Sequence, residues 1–281
     1  MAGKLYLCAT PIGNLEDMTF RVVRTLKEVD LIGAEDTRNS IKLLNHFEIK
    51  TPMTSYHEYN KYDKAAELVK MMLDGKNIAL ITDAGTPGIS DPGEELVRQC
   101  YEAGVEVTSL PGATAVTTAL SMSGMETRRF CFEAFLPKEK RLREKIFNTL
   151  KDETRTIIIY EAPHRLVKTL EELLKHLGDR SIAFCRELTK TYEEVRRDTI
   201  SSAIEYYQAN APRGEFVLVI QGKSMDELDQ EERAKWEDMS IEDHMDVYLK
   251  QGMDKKTAMK AVAKDRGVSK RDIYNEIVKE K

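Results

Sequence analysis

The sequence predicts an α/β protein of two α/β domains with a small helical domain at its C-terminal end. Three observations carry this. From Lys4 to Ile220, short β-rich runs alternate with amphipathic stretches of helical period, the pattern of strands joined by helical crossovers in a largely parallel sheet. Loops rich in glycine and proline recur directly after the strand-like runs. Beyond Gly222 the alternation stops and charge dominates: ten acids against two bases from Met225 to Leu249, then ten bases against five acids from Lys250 onward.

In chain order, strands are expected at "KLYLCAT", "VDLIGAE", "NIALITD", "VEVTSLP", "FCFEAFL", "TIIIYEA", "SIAFCRE" and "EFVLVIQ". The helical stretches "KAAELVKMMLDG" and "PHRLVKTLEELLKHLG" each close on a glycine suited to a helix C-cap. "SGMETRRF" reads as a linker and divides residues 1–125 from 126–224. Residues 225–281 read as an acidic linker followed by a helix-turn-helix-like module. In that module "SIED" (from Ser240) and "SKRD" (from Ser269) fit helix-starting capping boxes. Ile241, Met245, Tyr248 and Leu249 make one apolar face, and Ile273, Tyr274, Ile277 and Val278 another. A middle helix is expected to end at Gly267. Such a module can grip nucleic acid, or it can simply pack as an appendage.

Composition narrows the function. Of 281 residues, 41% are apolar and 32% charged, and no apolar run is long enough to span a membrane. The start, "MAGKLYLCATPIG", lacks the long apolar region and cleavage site of a secretory signal, so a cytoplasmic protein is expected. Four cysteines form no CxxC pair and five histidines show no ligand spacing, so no metal is expected. The net charge of −5 argues against a polyanionic partner overall. Two basic patches qualify that: the tail, and "KEKRLREK" (Lys138 to Lys145) with five bases and two acids. Either can meet phosphates or be a solvated helix face.

The loop "ITDAGTPGISDPG" (Ile81 to Gly93) is not a phosphate cradle. Gly88 is followed by Ile89 and Ser90 where a Walker A loop needs Lys-Ser/Thr, and the glycine spacing misses GxGxxG. No lysine or arginine occurs from Asn77 to Val97, while Asp83 and Asp91 lie in the loop. Two carboxylates without a base suit ribose hydroxyls, an amine or a cation. "TPIGNLED", "AEDTR" and "LPGATA" follow other strands of the first half, and loops at the carboxyl ends of parallel strands line the ligand crevice of open α/β sheets.

These loops, with "SYHEYN", "YEAPHR", "RELTKTYEE" and "GEFVLVIQG", form an ordered series from about Leu5 to Gly222. The series resembles the tetrapyrrole methylase superfamily, and more closely its ribosomal RNA branch. The resemblance implies two α/β domains with S-adenosylmethionine in the cleft between them, a homodimer, and 2′-O-methylation of a cytidine in small-subunit (16S) rRNA near the decoding centre. It implies that Pro11 and Gly13 border the methyl donor, and that Asp83, Gly85, Thr86, Gly88 and Ile89 hold its ribose and methionine part. Thr114 and Ala115 would line the same pocket, with Tyr160, Leu188 and Thr189 closing it from the second domain.

A ribose hydroxyl is a poor nucleophile, so a proton acceptor is expected beside the methyl donor. Candidates are Glu35, Asp36, His57, Glu58, Glu161, His164, Glu187 and Lys190, with Asp36 or His57 favoured. Arg38, Arg165 and Lys190, with Lys140, Arg141 and Arg143 of the basic segment, are expected at RNA phosphate, within the small ribosomal subunit. Two competing readings are a methyltransferase of the same superfamily acting on a tetrapyrrole or a protein, and a non-catalytic nucleic-acid-binding ligand sensor.

Overall fold

In the computed structural model, which describes residues 2–236 and 238–279, the first half is a parallel sheet covered on both faces. Strands β1 (Lys4–Cys8), β2 (Leu31–Ala34), β3 (Met53–Ser55), β4 (Ile78–Ile81) and β5 (Glu106–Leu110) lie in the order β3-β2-β4-β1-β5, every pairing parallel. The helices between them are α1 (Phe20–Glu28), α2 (Thr37–His46), α3 (Lys61–Leu73) and α4 (Gly93–Glu102). Strand β4, "IALI", is buried along its length, as a central strand covered on both faces must be. Its alternate residues enter opposite cores: Ile78 and Leu80 pack with Leu68, Met72 and Leu96, whereas Ala79 and Ile81 pack with Val22, Leu26 and Leu44.

Helix α5 (Ala115–Ser123) leaves this sheet and packs on the next one. Its Val116, Ala119 and Leu120 share a core with Ile158, Cys185, Leu188 and Val217. The second sheet comprises β6 (Phe130–Phe135), β7 (Thr156–Glu161), β8 (Ser181–Arg186), β9 (Glu194–Thr199) and β10 (Phe216–Ile220), in the order β6-β7-β10-β8-β9. Helices α6 (Lys140–Leu150), α7 (Leu166–Leu177) and α8 (Ile200–Ala209) connect its strands.

The expectation of a largely parallel arrangement fails here. Only β6 and β7 pair in parallel; β10 runs antiparallel between β7 and β8, and β9 runs antiparallel to β8. Residues 187–193 join β8 to β9 directly, and so short a link permits only an antiparallel return. Strands β3 and β9 were not among the expected runs.

Met1–Phe147 with Arg155–Gln221 form one compact unit, and Asn148–Thr154 with Gly222–Lys281 form a second. In the second unit the acidic stretch is a helix rather than a linker. Ser224 and Glu227 build a full capping box for α9 (Met225–Ala234). Helices α10 (Ile241–Lys250), α11 (Lys255–Asp265) and α12 (Lys270–Lys279) then enclose Met245, Ala258, Val262, Ala263 and Ile273. Ser240 and Ser269 cap α10 and α12 as their spacing implied. Leu249 and Tyr274 stay partly exposed, at 38% and 56%, and the Val278 side chain lies outside the described residues. No helix among the described residues is long and apolar enough to cross a membrane.

Candidate active site

The carboxyl ends of the first sheet's strands open onto a cavity of about 260 Å³ in the first compact unit. One wall comes from the loops that follow four strands: Ile12 after β1, Glu35 after β2, Thr82 to Thr86 and Ile89 to Asp91 after β4, and Thr114 with Ala115. Short polar bonds lock these loops together. Thr10 and Gly85 exchange backbone hydrogen bonds at 2.9 and 3.0 Å. The Thr10 hydroxyl donates to the Thr82 carbonyl at 3.0 Å, and the Thr86 hydroxyl to the Ala113 carbonyl at 3.1 Å. Asp91 folds the β4 loop by accepting from the Gly88 and Gly93 amides. A Cβ at Gly93 would lie 2.7 Å from both Asp91 Oδ1 and the Gly88 nitrogen, so glycine is required there.

The opposite wall comes from the second sheet. Phe135, Tyr160, Glu161, Cys185, Glu187, Leu188 and Lys190 lie at or after the carboxyl ends of β6, β7 and β8. Because β10 is antiparallel to its neighbours, its first residues, with Glu215, reach the same end. A bulge between Phe132 and Phe135, with Ala134 at φ 50°, turns the end of β6. Tyr160 then sits edge-on between Phe132 and Phe135, with centroids at 4.9 and 5.5 Å. Burial pushes its phenol up to about 12. Glu187 and Thr189, both at positive φ, bracket the buried Leu188. Gly13 closes against this turn, where a Cβ would come within 2.4 Å of Lys190 Cγ and 2.8 Å of Thr189 Oγ1.

The lining is acidic. Glu35, Asp83, Asp91, Glu161, Glu187 and Glu215 face one lysine, Lys190, and Lys190 Nζ is itself paired at 2.9 Å with both Glu187 and Glu215. Burial alone would lower the Lys190 ammonium, but these two bonds carry it above the ordinary lysine value. The Glu215 amide, ahead of Lys190, holds the Glu187 carboxyl below its usual range. Burial raises Asp91 against the bonds from Gly88 and Gly93. Glu161 is fully buried and accepts from the Ala162 amide and the Thr169 hydroxyl, with Arg165 Nε at 3.4 Å.

Of the residues expected at the methyl donor, Asp83, Gly85, Thr86, Ile89, Thr114, Ala115, Tyr160 and Leu188 line this cavity. Pro11 and Gly13 flank the lining Ile12, while Gly88 and Thr189 stand behind it; the Thr189 hydroxyl is buried without a partner. Neither favoured proton acceptor lines the cavity. Asp36 caps α2 and is held bidentately by Arg38, at 3.0 and 2.7 Å. Those Arg38 bonds lower the Asp36 carboxyl to about 2, leaving it a weak base. His57 lies beyond the end of β3, fixed through its amide to Asn60 at 2.8 Å, with its ring Nδ1 buried and unpartnered.

The residues expected at phosphate separate as well. Lys140 and Arg141 are exposed on α6, and Arg38 is exposed while paired. Arg143 instead points inward, where it bonds Glu172 and donates to the Thr169 hydroxyl at 2.7 Å. Arg165 donates to the Leu136 carbonyl at 2.7 Å, and Lys190 is held by its two glutamates. The helical period explains Arg143: it stands four residues before Phe147 and seven before Leu150, both buried, and so falls on the core-facing side of α6. Of the other candidate proton acceptors, Glu35, Glu161, Glu187 and Lys190 do line the cavity, and Glu215 is the cavity acid that sequence reading missed.

A family profile described as Tetrapyrrole (Corrin/Porphyrin) Methylases matches residues 4–204. The chain is 49% identical over 273 residues to the Ribosomal RNA small subunit methyltransferase I of Halalkalibacterium halodurans, covering 97% of this chain and 94% of that protein. It is also 49% identical to the protein of the same name from Bacillus subtilis, covering 97% of this chain and 93% of the relative. A crystal structure of diphthine synthase superposes with a TM-score of 0.61 at 13% identity, over 79% of this chain and 91% of that one; it shares the fold.

Proposed function

We propose that this chain, which belongs to the tetrapyrrole methylase family, is an S-adenosylmethionine-dependent methyltransferase of small-subunit ribosomal RNA that modifies the 2′-oxygen of a cytidine. The relatives' names support the RNA substrate. The observation that carries the methyl donor is the charge of the cavity: six carboxylates and one lysine already neutralised by two of them. A wall of this kind favours a cationic ligand, and the donor is a sulfonium with an α-ammonium group. The residues fit it chemically. Asp83 is an exposed carboxylate for ribose hydroxyls or the ammonium, the β4 loop exposes backbone groups, and Ile89, Leu188, Tyr160 and Phe135 offer apolar surface.

When bound, S-adenosylmethionine supplies an electrophilic methyl group. The chain's own work is to hold the donor, align the ribose oxygen and accept a proton. Asp83, Gly85, Thr86, Ile89, Thr114 and Ala115 hold the donor from the first sheet, and Tyr160 and Leu188 from the second. Pro11 and Gly13 shape the entrance, and Gly88 and Thr189 support the two turns. Alignment can supply up to roughly 7–11 kcal/mol of the barrier for well-oriented reactants. Of the two nucleic acids only RNA carries a 2′-hydroxyl, and the exposed Lys140, Arg141 and Arg38 would meet its phosphates. The working form is a cytoplasmic homodimer acting on the small ribosomal subunit.

The test is transfer of label from methyl-labelled S-adenosylmethionine to undermethylated small subunits, beside calorimetry with the donor alone. Donor binding with label in the RNA supports the reading. Donor binding with label only in protein or in a tetrapyrrole redirects it to another substrate, and no donor binding overturns it.

A further inference from the structure

We infer that Glu35 is the catalytic proton acceptor for the ribose hydroxyl; this rests on the methyl-transfer reading above. Five of the six cavity carboxylates have other duties. Glu187 and Glu215 neutralise Lys190. Glu161 is sealed inside, its two oxygens taken by the Ala162 amide, the Thr169 hydroxyl and the neighbouring Arg165. Both oxygens of Asp91 are bonded to amides of its own loop. Asp83, on the β4 loop, is the exposed carboxylate assigned above to the donor, and its one side-chain bond among the described residues is a 3.3 Å contact from Asn39.

Glu35 remains. It is the residue directly after β2 and lines the cavity. Oε2 accepts from the Thr82 hydroxyl at 2.6 Å, and among the described residues no group bonds Oε1 and no cation pairs with the carboxylate. One oxygen is thus fixed to the β4 loop while the other is available. The neighbouring Asp36 has the opposite arrangement: strand geometry sends successive side chains apart, so Asp36 turns away to cap α2 and is neutralised by Arg38. Glu35 therefore offers a hydroxyl an unbonded carboxylate oxygen, which Asp36 does not.

In the step, a lone pair of the ribose 2′-oxygen forms the new bond to the methyl carbon as the carbon–sulfur bond breaks. That bonding pair stays on sulfur as a neutral thioether, and the hydroxyl proton passes to Glu35 Oε1 and then to water. No oxidant, reductant or further reactant is required.

The test compares Glu35→Gln with Asp83→Asn in single-turnover methylation of small subunits, with donor affinity measured by calorimetry. Glu35→Gln is expected to lower the transfer rate about 10²–10⁴-fold, to keep donor affinity within a few-fold, and to lack the rise in rate with pH expected of the wild type. Asp83→Asn is expected to weaken donor binding instead. Glu35→Gln at near wild-type rate with an unchanged pH profile would overturn the inference. So would a Glu35→Gln defect confined to donor affinity. A wild-type protein that transfers no methyl to ribose overturns the underlying reading, which the variants do not test.

Discussion

Replacing Arg143 by methionine separates a structural cation from an RNA-binding one within the same basic segment. Arg143 is 6% exposed; it bonds Glu172, donates to Thr169, and lies 5.5 Å above the Phe147 ring. Thr169 in turn donates to the buried Glu161 at the cavity wall. Methionine keeps much of the apolar stem and removes the charge and both donors. Truncating one partner of a buried pair costs about 3–5 kcal/mol. Glu172 keeps 28% of its side chain exposed and can rehydrate, so a loss of about 2–4 kcal/mol is expected. For a chain of this size that lowers the melting temperature by roughly 3–7 °C. Arg141→Met, two residues away on the exposed side, should shift stability by no more than about 0.5 kcal/mol while weakening salt-dependent binding to small subunits. Melting followed by circular dichroism and filter binding across a salt series measure both. An Arg143→Met protein that melts with the wild type, yet loses as much RNA affinity as Arg141→Met, would refute the reasoning.

Three further outcomes are expected. Asp36→Asn preserves the α2 cap, since Asn caps as well as Asp, so methyl-transfer rates should stay within a few-fold of wild type; a hundredfold loss would restore Asp36 as the base. Gly13→Val drives a side chain into Lys190 and Thr189, so calorimetry should record at least tenfold weaker donor binding with little change in melting temperature. In the helical unit, His244 is fully buried and stacked 3.8 Å from Trp236, the chain's one tryptophan. Burial, then Arg266, holds its pKa below the ordinary 6.5. The unfolded chain therefore takes up this proton first, and the stability of the neutral state, present above about pH 6.5, is lost as pH falls through the lower folded value. Acid titration of Trp236 fluorescence should show a transition below 6.5 that His244→Gln removes.

Most of the first sheet was legible because its strands are apolar runs closed by Gly/Pro loops, and a strand covered on both faces has little choice of sequence. β9, "EVRRDT", was not: it is an edge strand with mostly polar side chains, paired through backbone that leaves no apolar alternation. The antiparallel entry of β10 was equally hidden, since "FVLVI" reads the same in either direction. The acidic stretch concealed α9 because "MDELDQEERA" carries too few apolar residues to mark a helical face, leaving the Ser224–Glu227 capping box as its signal. In the cavity, glycine and aspartate loops pointed to the donor wall. Glu35 and Asp36 differ by one residue, and only the direction of each side chain tells the cavity residue from the helix cap. The N-cap preference for aspartate just before a helix was the signal available for Asp36. Arg143 looked like its basic neighbours because composition does not record which side of a helix a charge occupies.

The most direct test of methyl transfer to ribose is nucleoside analysis of small-subunit RNA methylated by this protein in vitro. The expected result is one new nucleoside, 2′-O-methylcytidine, formed only with S-adenosylmethionine present. A methyl group on a base, or none in RNA from a protein that still binds the donor, would contradict it.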